Sequence, residues 1–153
     1  MTNRFAIGWV ALTALALIWA GMVIGITLLA VPAQFAAESL AQPIGIDVTR
    51  HVFSIFNRVE AGIAVASALI ALLAWPPRRV WLLLGPVWLI VAVQSLWLLH
   101  LLDARVDRIL AGETLPPAPW HRLYGILEMV KLVALLALAV MGLWPRRREM
   151  AAP

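Results

Sequence analysis

The sequence contains no cysteine and few charged residues, and both shortages limit what the protein can be. Without a thiol, disulfides, thiolate metal sites and cysteine nucleophiles are all excluded. Charged residues make up only 13% of the 153 residues, whereas soluble domains carry about 25%. Hydrophobic residues reach 63%, and the mean hydropathy is +0.93. This composition is typical of an integral membrane protein.

Four long apolar runs cover most of the chain. They lie at residues 5–31, 53–75, 80–102 and 121–144. Each is long enough to cross a hydrocarbon core of about 30 Å at about 1.5 Å per residue. The first run exceeds the apolar stretch of about 7–15 residues that is typical of a signal peptide, so we expect a retained helix.

We therefore predict an all-α fold, an antiparallel four-helix transmembrane bundle that forms a single integral-membrane domain over residues 1–153. The expected helices lie at about residues 5–31, 48–75, 80–110 and 120–144.

The connections between the runs differ in kind. Pro76-Pro77 predicts a tight turn between the second and third helices. Residues 33–49 have room for a short helix lying at the outer interface, which Pro32 would begin, whereas Asp47 would cap the second membrane helix. Gly21-x-x-x-Gly25 in the first run predicts a close helix contact, either inside the bundle or between copies of the chain.

The distribution of arginine predicts the orientation. With four crossings, both termini and the second connection share one side. That side carries the arginines Arg4, Arg78, Arg79, Arg146, Arg147 and Arg148. The opposite connections are mixed and near neutral. The positive-inside rule therefore predicts cytoplasmic termini in the bacterial inner membrane, and these membrane-flanking arginines give no indication of nucleic-acid binding.

Depth and helical spacing predict a polar cluster. Counting about 20 residues outward from the cytoplasmic tryptophans places the remaining ionisable groups at one level, in the outer leaflet. Glu60 has no opposite charge at helical spacing on its inward face, so we expect it to pair with Lys131 of the fourth helix. The predicted cluster comprises Asn57, Arg58, Glu60, His100, Asp103, His121, Tyr124, Glu128 and Lys131.

Two interpretations of these residues stay open at the level of sequence. In the structural one, Glu128 and Lys131 neutralise each other, and Arg58 extends outward to the lipid phosphates. In the functional one, the cluster lines a pocket that opens to the outer face. No pair has a diagnostic metal-ligand spacing, and no nucleophile motif or phosphate-binding loop is present. We therefore assign no catalytic or metal-binding residue, and the cofactor stays unknown.

Short motifs along the chain resemble one known family. They are GMVIG at residues 21–25, Pro32-x-x-Phe35, HVFSIFNRVE at 51–60, LDARV at 102–106 and WHRLYG at 120–125. Together they resemble the bacterial four-helix membrane family of unknown function that is related to animal transmembrane protein 205. The resemblance implies four helices in a membrane and no established reaction.

Three classes of function follow from these observations. The first is an accessory or assembly subunit of a larger membrane complex. The alternative is a small-solute or ion permease with a polar pocket in the outer leaflet. The second alternative is a small membrane-embedded metalloenzyme, which requires Glu60, His100, Asp103 and Glu128 to converge. The expected partners are the lipid bilayer and either other membrane subunits or further copies of this chain.

Overall fold

The chain forms four long antiparallel helices. The computed structural model describes residues 2–150, with side chains at residues 5–144, and no strand occurs in this part. The four segments long and apolar enough to span a membrane are Phe5–Phe35, Gln42–Ala74, Arg78–Leu110 and Pro119–Trp144. The predicted all-α four-helix bundle of a multi-pass membrane protein is therefore confirmed.

Two of the four helices contain a π-helical segment. The first helix consists of Thr2–Val23, the π-helical Ile24–Ala30, and Val31–Phe35. The second helix is Gln42–Ala74. The third helix consists of Arg78–Val93, the π-helical Gln94–Leu98, and Leu99–Leu110. The fourth helix is Pro119–Met150.

Each helix packs against two neighbours. The first and third helices both contact the second and the fourth, so the second and fourth helices face each other across the bundle axis. We call the end that carries the chain termini and the turn at residues 75–77 the termini end. The opposite end, with the connections at residues 36–41 and 111–118, is the loop end.

The helix boundaries at the first connection differ from the predicted ones. The first helix continues to Phe35, and the second begins at Gln42 rather than near residue 48, so residues 33–49 contain no separate interfacial helix. Pro43 lies in the first turn of the second helix, where its missing N–H costs no hydrogen bond. Asp47 therefore lies inside that helix and does not cap it. The prediction was wrong because the start of an apolar stretch does not mark where a helix begins.

Glycine brings the helices closest together at the termini end. A Cβ atom on Gly8 would lie 2.3 Å from the Ala74 Cβ, and one on Gly142 would lie 1.9 Å from the Thr13 Oγ1. By contrast, a Cβ on Gly21 or Gly25 would meet nothing within 4 Å. The predicted close contact of these two glycines inside the bundle is wrong, because they lie away from the packed face of the first helix, and a contact between copies of the chain stays a prediction.

The outer surface of the bundle is apolar. Leu73 is 82% exposed and Leu96 is 78% exposed, and isoleucine, leucine and valine side chains are exposed on all four helices. The inward face of the first helix carries Leu12, Ala16 and Trp19, at the spacing of one helical face. Large apolar groups thus face both the core and the surroundings, as expected where hydrocarbon replaces water.

Proline accounts for one of the two π-helical segments. Pro32 has no N–H, and in a regular helix its ring would clash with the carbonyl of Leu28. The wider turn of Ile24–Ala30 lies immediately before it and provides room for that ring. No proline follows closely on the second segment, Gln94–Leu98, which instead begins at a buried polar residue. Single π turns often occur at functional sites.

Candidate functional site: a buried charged cluster below a cavity

Three charged side chains meet on the axis of the bundle. The Lys131 Nζ lies 2.5 Å from the Glu60 Oε1 and 2.8 Å from the Glu128 Oε1, and all three side chains are fully buried. Glu60 comes from the second helix, whereas Glu128 and Lys131 lie one turn apart on the fourth. The predicted contact between Glu60 and Lys131 is present, and Glu128 shares the same ammonium.

The other two helices complete this central cluster, which we define as Trp19, Glu60, Gln94, Glu128 and Lys131. The Trp19 Nε1 donates to the Glu60 Oε1 at 2.7 Å. The Gln94 Nε2 donates to the Glu128 Oε1 at 3.0 Å, and the Gln94 Oε1 accepts from the Lys131 Nζ at 3.1 Å. Each helix therefore contributes at least one polar group.

The hydrogen bonds of the central cluster are unevenly distributed. The Lys131 ammonium has three donors, and each has an acceptor: the Oε1 atoms of Glu60, Glu128 and Gln94. The same Oε1 atoms of the two carboxylates also accept from Trp19 and Gln94. The Phe56 ring lies 5.8 Å from the Lys131 Nζ and adds a cation–π contact.

The second oxygens of the two carboxylates have no partner. Among the described side chains, five buried nitrogen or oxygen atoms lack a hydrogen bond, and four of them lie in or beside the central cluster. They are Glu60 Oε2, Glu128 Oε2, Tyr124 Oη and Asn57 Nδ2. The Tyr124 side chain lies beside both Asn57 and Glu128. Buried polar atoms are almost always hydrogen-bonded, so these four atoms are available as partners for a bound water or ligand.

Formal charge at the central cluster does not balance. Two carboxylates and one ammonium give a net charge of −1 when all three are ionised. An uncompensated charge inside a membrane costs on the order of 2.5 kcal/mol or more. The imbalance therefore needs a positive charge, either as a proton on one carboxyl or as a bound cation.

A cavity of about 280 Å³ lies between the central cluster and the loop end. Its walls are mainly apolar and include Phe53, Leu102 and Val106, and Tyr124 lines it on the side facing the cluster. Tyr124 packs edge-on against Phe53, with ring centroids 5.2 Å apart. Because His121 borders the cavity and is exposed, the cavity opens toward the loop end.

Ionic contacts surround the mouth of the cavity. Arg50 bridges the second and third helices by binding Asp47 at 2.9 Å and also Asp107. The Arg105 guanidinium lines the cavity and donates to the backbone carbonyls of Leu115 and Pro116. These contacts fix the cavity wall to the proline-rich connection.

Below the central cluster, the bundle is sealed by apolar packing. The Trp88 Nε1 donates to the Ser67 Oγ at 3.0 Å and joins the second and third helices. Fully buried apolar side chains such as Leu84 and Leu135 fill the bundle on this side of the cluster. Within residues 5–144, no buried charged group lies on the termini side of Lys131.

The structure divides the predicted site residues into three groups. Glu60, Glu128 and Lys131 belong to the central cluster, and Asn57 and Tyr124 lie against it. Asp103 and His121 line the cavity instead. Arg58 and His100 are exposed on the outside of the bundle, so their predicted place in the cluster is wrong. Depth alone does not specify which face a residue occupies, and neither of these two lies on the inward face of its helix.

Sequence reasoning missed Trp19 and Gln94 as members of the cluster. Trp19 lies near the middle of the first apolar run, although tryptophans prefer membrane interfaces. Gln94 is the only amide in the third run. A polar group at mid-depth in an apolar helix needs an internal partner, and this signal points to both residues.

The ligand set needed for a metalloenzyme does not assemble. Glu60 and Glu128 converge, but His100 is exposed and Asp103 lies at the cavity wall. Among the residues that the structure describes, no three His, Asp or Glu side chains are grouped to hold a metal ion.

Comparison with protein-family models, curated proteins and solved structures gives no match for this chain. The resemblance to the family related to transmembrane protein 205 therefore stays a prediction.

Proposed function

We propose that this protein is a small permease-type membrane protein that binds a small solute or ion from the outer side. The observation that carries the proposal is a cavity and a charged cluster in series, which meet at Tyr124. Tyr124 lines the cavity and lies beside the buried Glu128, so it connects the outside to the centre of the bundle. Ionisable groups at this depth are typical of ion and substrate pathways.

The chemistry of the cavity favours a small ligand with both an apolar part and a polar part. At about 280 Å³, the cavity is close to the lower limit of ligand sites, about 300 Å³. Apolar walls contact one part of the ligand, whereas Asp103, Arg105 and His121 are available for its polar part. Arg105 donates to neutral carbonyls in its present position, so its positive charge is available to an anionic group.

Orientation in the membrane belongs to the same proposal. The arginines at the termini end favour the cytoplasmic side of a bacterial inner membrane, which directs the cavity outward. The sealed termini half then corresponds to a state closed toward the cytoplasm. Release of a solute to the inside requires the helices to separate below Lys131, by a rearrangement or in an oligomer of this chain.

Single cysteines test both the cavity and its direction, because the chain has no cysteine of its own. Val106→Cys places a thiol at the cavity wall, Glu113→Cys marks the loop end, Pro77→Cys marks the termini end, and Leu135→Cys marks the sealed core. In intact cells, a membrane-impermeant maleimide should label the first two variants. It should label Pro77→Cys only after permeabilisation and Leu135→Cys in neither case.

Solutes that occupy the cavity should slow the labelling of Val106→Cys and leave that of Glu113→Cys unchanged. Small organic anions, amines and neutral amphiphiles form a suitable first panel. If Glu113→Cys is labelled from outside and Val106→Cys is not, the cavity is closed to the outer side and the proposal fails. Outside labelling of Pro77→Cys would reverse the orientation.

One observation favours the second candidate, an accessory or assembly subunit. The termini half contains no buried charge within residues 5–144, so a single bundle offers no polar route through the membrane. In this role, the central cluster fixes the arrangement of the helices, and the apolar exterior contacts partner subunits. Purification from native membranes in mild detergent tests it: a stable partner of another sequence supports the accessory role, and a homo-oligomer supports the permease.

A further inference from the structure

We propose that the central cluster binds one monovalent cation, a proton or a sodium-sized ion, at the unpartnered oxygens Glu60 Oε2, Glu128 Oε2 and Tyr124 Oη. This inference rests on the proposed function and names the ion that the permease takes up together with its solute. Two independent observations support it: the unpartnered oxygen atoms and the net charge of the cluster.

The geometry leaves one side of the two carboxylates unused. Both Oε1 atoms point to Lys131 and are saturated by it together with Trp19 and Gln94. Both Oε2 atoms and the Tyr124 hydroxyl are buried and have no hydrogen-bond partner. Oxygen atoms of this kind are the ligands of hard cations, and a carboxyl oxygen also accepts a proton.

The net charge of the cluster indicates how many cations it accepts. The polar groups around the two carboxylates are Trp19 of the first helix, Asn57 and Glu60 of the second, Gln94 of the third, and Tyr124, Glu128 and Lys131 of the fourth. Only Glu60, Glu128 and Lys131 among them carry charge, with a sum of −1. One monovalent cation restores neutrality. A divalent ion would instead leave an excess charge of +1 in a low-dielectric interior.

Position specifies the route of the cation. Tyr124 lines the cavity and lies beside Glu128, whereas Lys131 lies one turn further toward the termini end, next to the apolar core. A cation therefore enters from the loop end, past Tyr124, and stops at the ammonium of Lys131. Coupled uptake requires a state in which the cation binds from the outer side while the inner side is closed.

Thermal unfolding of the full chain in lipid nanodiscs tests the proposal. If sodium is the ion, the midpoint should rise by about 3–6 °C for each tenfold increase of sodium above its Kd, relative to choline at equal ionic strength. If a proton is the ion, the midpoint should fall as the pH is raised, without any sodium-specific effect, because the proton is lost from the folded state.

Glu128→Gln removes the excess negative charge and retains the shape of the side chain. It should abolish the sodium or pH dependence, whereas the matched control Glu38→Gln, at an exposed position, should retain it. If the variant does not fold, two measurements on the unmodified protein test the proposal instead. They are the binding of radioactive sodium at one ion per chain and the infrared carbonyl band of a protonated carboxyl group.

The proposal is overturned if the unmodified protein shows neither bound sodium nor a protonated carboxyl, or if Glu128→Gln keeps the full dependence. Either failure is distinguishable from failure of the proposed function, because the labelling of Val106→Cys reports access to the cavity whether or not a cation binds.

Discussion

The two halves of this bundle hold their helices together by different means. In the termini half, Gly8 and Gly142 allow the helices to approach closely, and packed apolar side chains fill the space between them. In the loop half, Glu60 and Lys131 join the second and fourth helices, and a cavity separates the helices nearer the loop end. Packing of small residues and polar contacts are the two ways in which helices associate in lipid, where the hydrophobic effect gives no preference for a neighbouring helix.

Close packing and buried polar groups occupy different depths of the bundle. A close contact that depends on glycine leaves no space for a ligand, and a buried charge needs polar neighbours that reduce apolar packing. Both π-helical segments, Ile24–Ala30 and Gln94–Leu98, lie on the loop side of the apolar seal. Irregular backbone is tolerated at membrane depth where it faces protein or a cavity. The buried charges and the cavity therefore lie in the loop half, whereas the termini half consists mainly of apolar packing.

Loss of the ammonium should disturb the loop half most. Lys131→Met leaves Glu60 and Glu128 buried together without a positive charge. We expect a destabilisation of about 3–5 kcal/mol, the range for breaking a buried ion pair by removing one partner. Reversible unfolding in mixed micelles, followed through tryptophan fluorescence, measures this loss. Lys131→Arg is the matched control and should retain part of the stability, whereas a loss below 1 kcal/mol would show that Lys131 is not the counter-ion.

A second substitution should reverse part of that loss. Glu60→Gln removes one of the two carboxylates that Lys131→Met leaves unpaired, and its amide oxygen still accepts from Trp19. The double variant should therefore be more stable than Lys131→Met alone, with a coupling energy of about 1–3 kcal/mol. A double-mutant cycle measures this coupling. Additive effects would mean that the two side chains do not act as an ion pair in the membrane.

The termini half should respond to volume rather than to charge. Gly142→Ala places a Cβ where the Thr13 side chain lies, and the β-branched threonine has little freedom to move away. We expect a loss of about 1–3 kcal/mol from overpacking. Gly21→Ala is the control: its Cβ meets nothing within 4 Å, and alanine favours the helix by about 1 kcal/mol. Unfolding of both variants in one detergent makes the comparison, and equal stabilities would contradict the packing.

Much of the fold follows from the sequence because lipid imposes strong constraints. Unpaired backbone is excluded from hydrocarbon, so four apolar runs joined by short connections have one solution, an antiparallel bundle. The pair Glu60–Lys131 was predictable for the same reason, since a charge at that depth must find an internal partner. Helix ends were less predictable: Phe35 and Gln42 lie at the loop end, where polar and apolar residues are both tolerated.

The composition of the site was only partly predictable. Depth and helical spacing identified Asn57, Glu60, Tyr124, Glu128 and Lys131, but depth also selected Arg58 and His100, which the bundle turns outward. The π-helical turn at Gln94–Leu98 changes the number of residues per turn in the third helix. Counting along a regular helix therefore does not show which residues of Leu99–Leu110 face inward. Trp19 meets Glu60 only through the packing of two helices, which no local pattern contains.

The smallest effect should come from the exposed ion pairs at the loop end. Asp107→Asn removes one of two carboxylates that bind Arg50, while Asp47 stays in place. Because Asp107 is exposed, we expect a destabilisation of only about 0–1 kcal/mol, which salt screens further. The same unfolding measurement at low and high salt should show the difference between the variant and the unmodified chain shrinking. A loss as large as that of Lys131→Met, independent of salt, would instead mean that the ion pairs at the cavity mouth, rather than the central cluster, hold the loop half together.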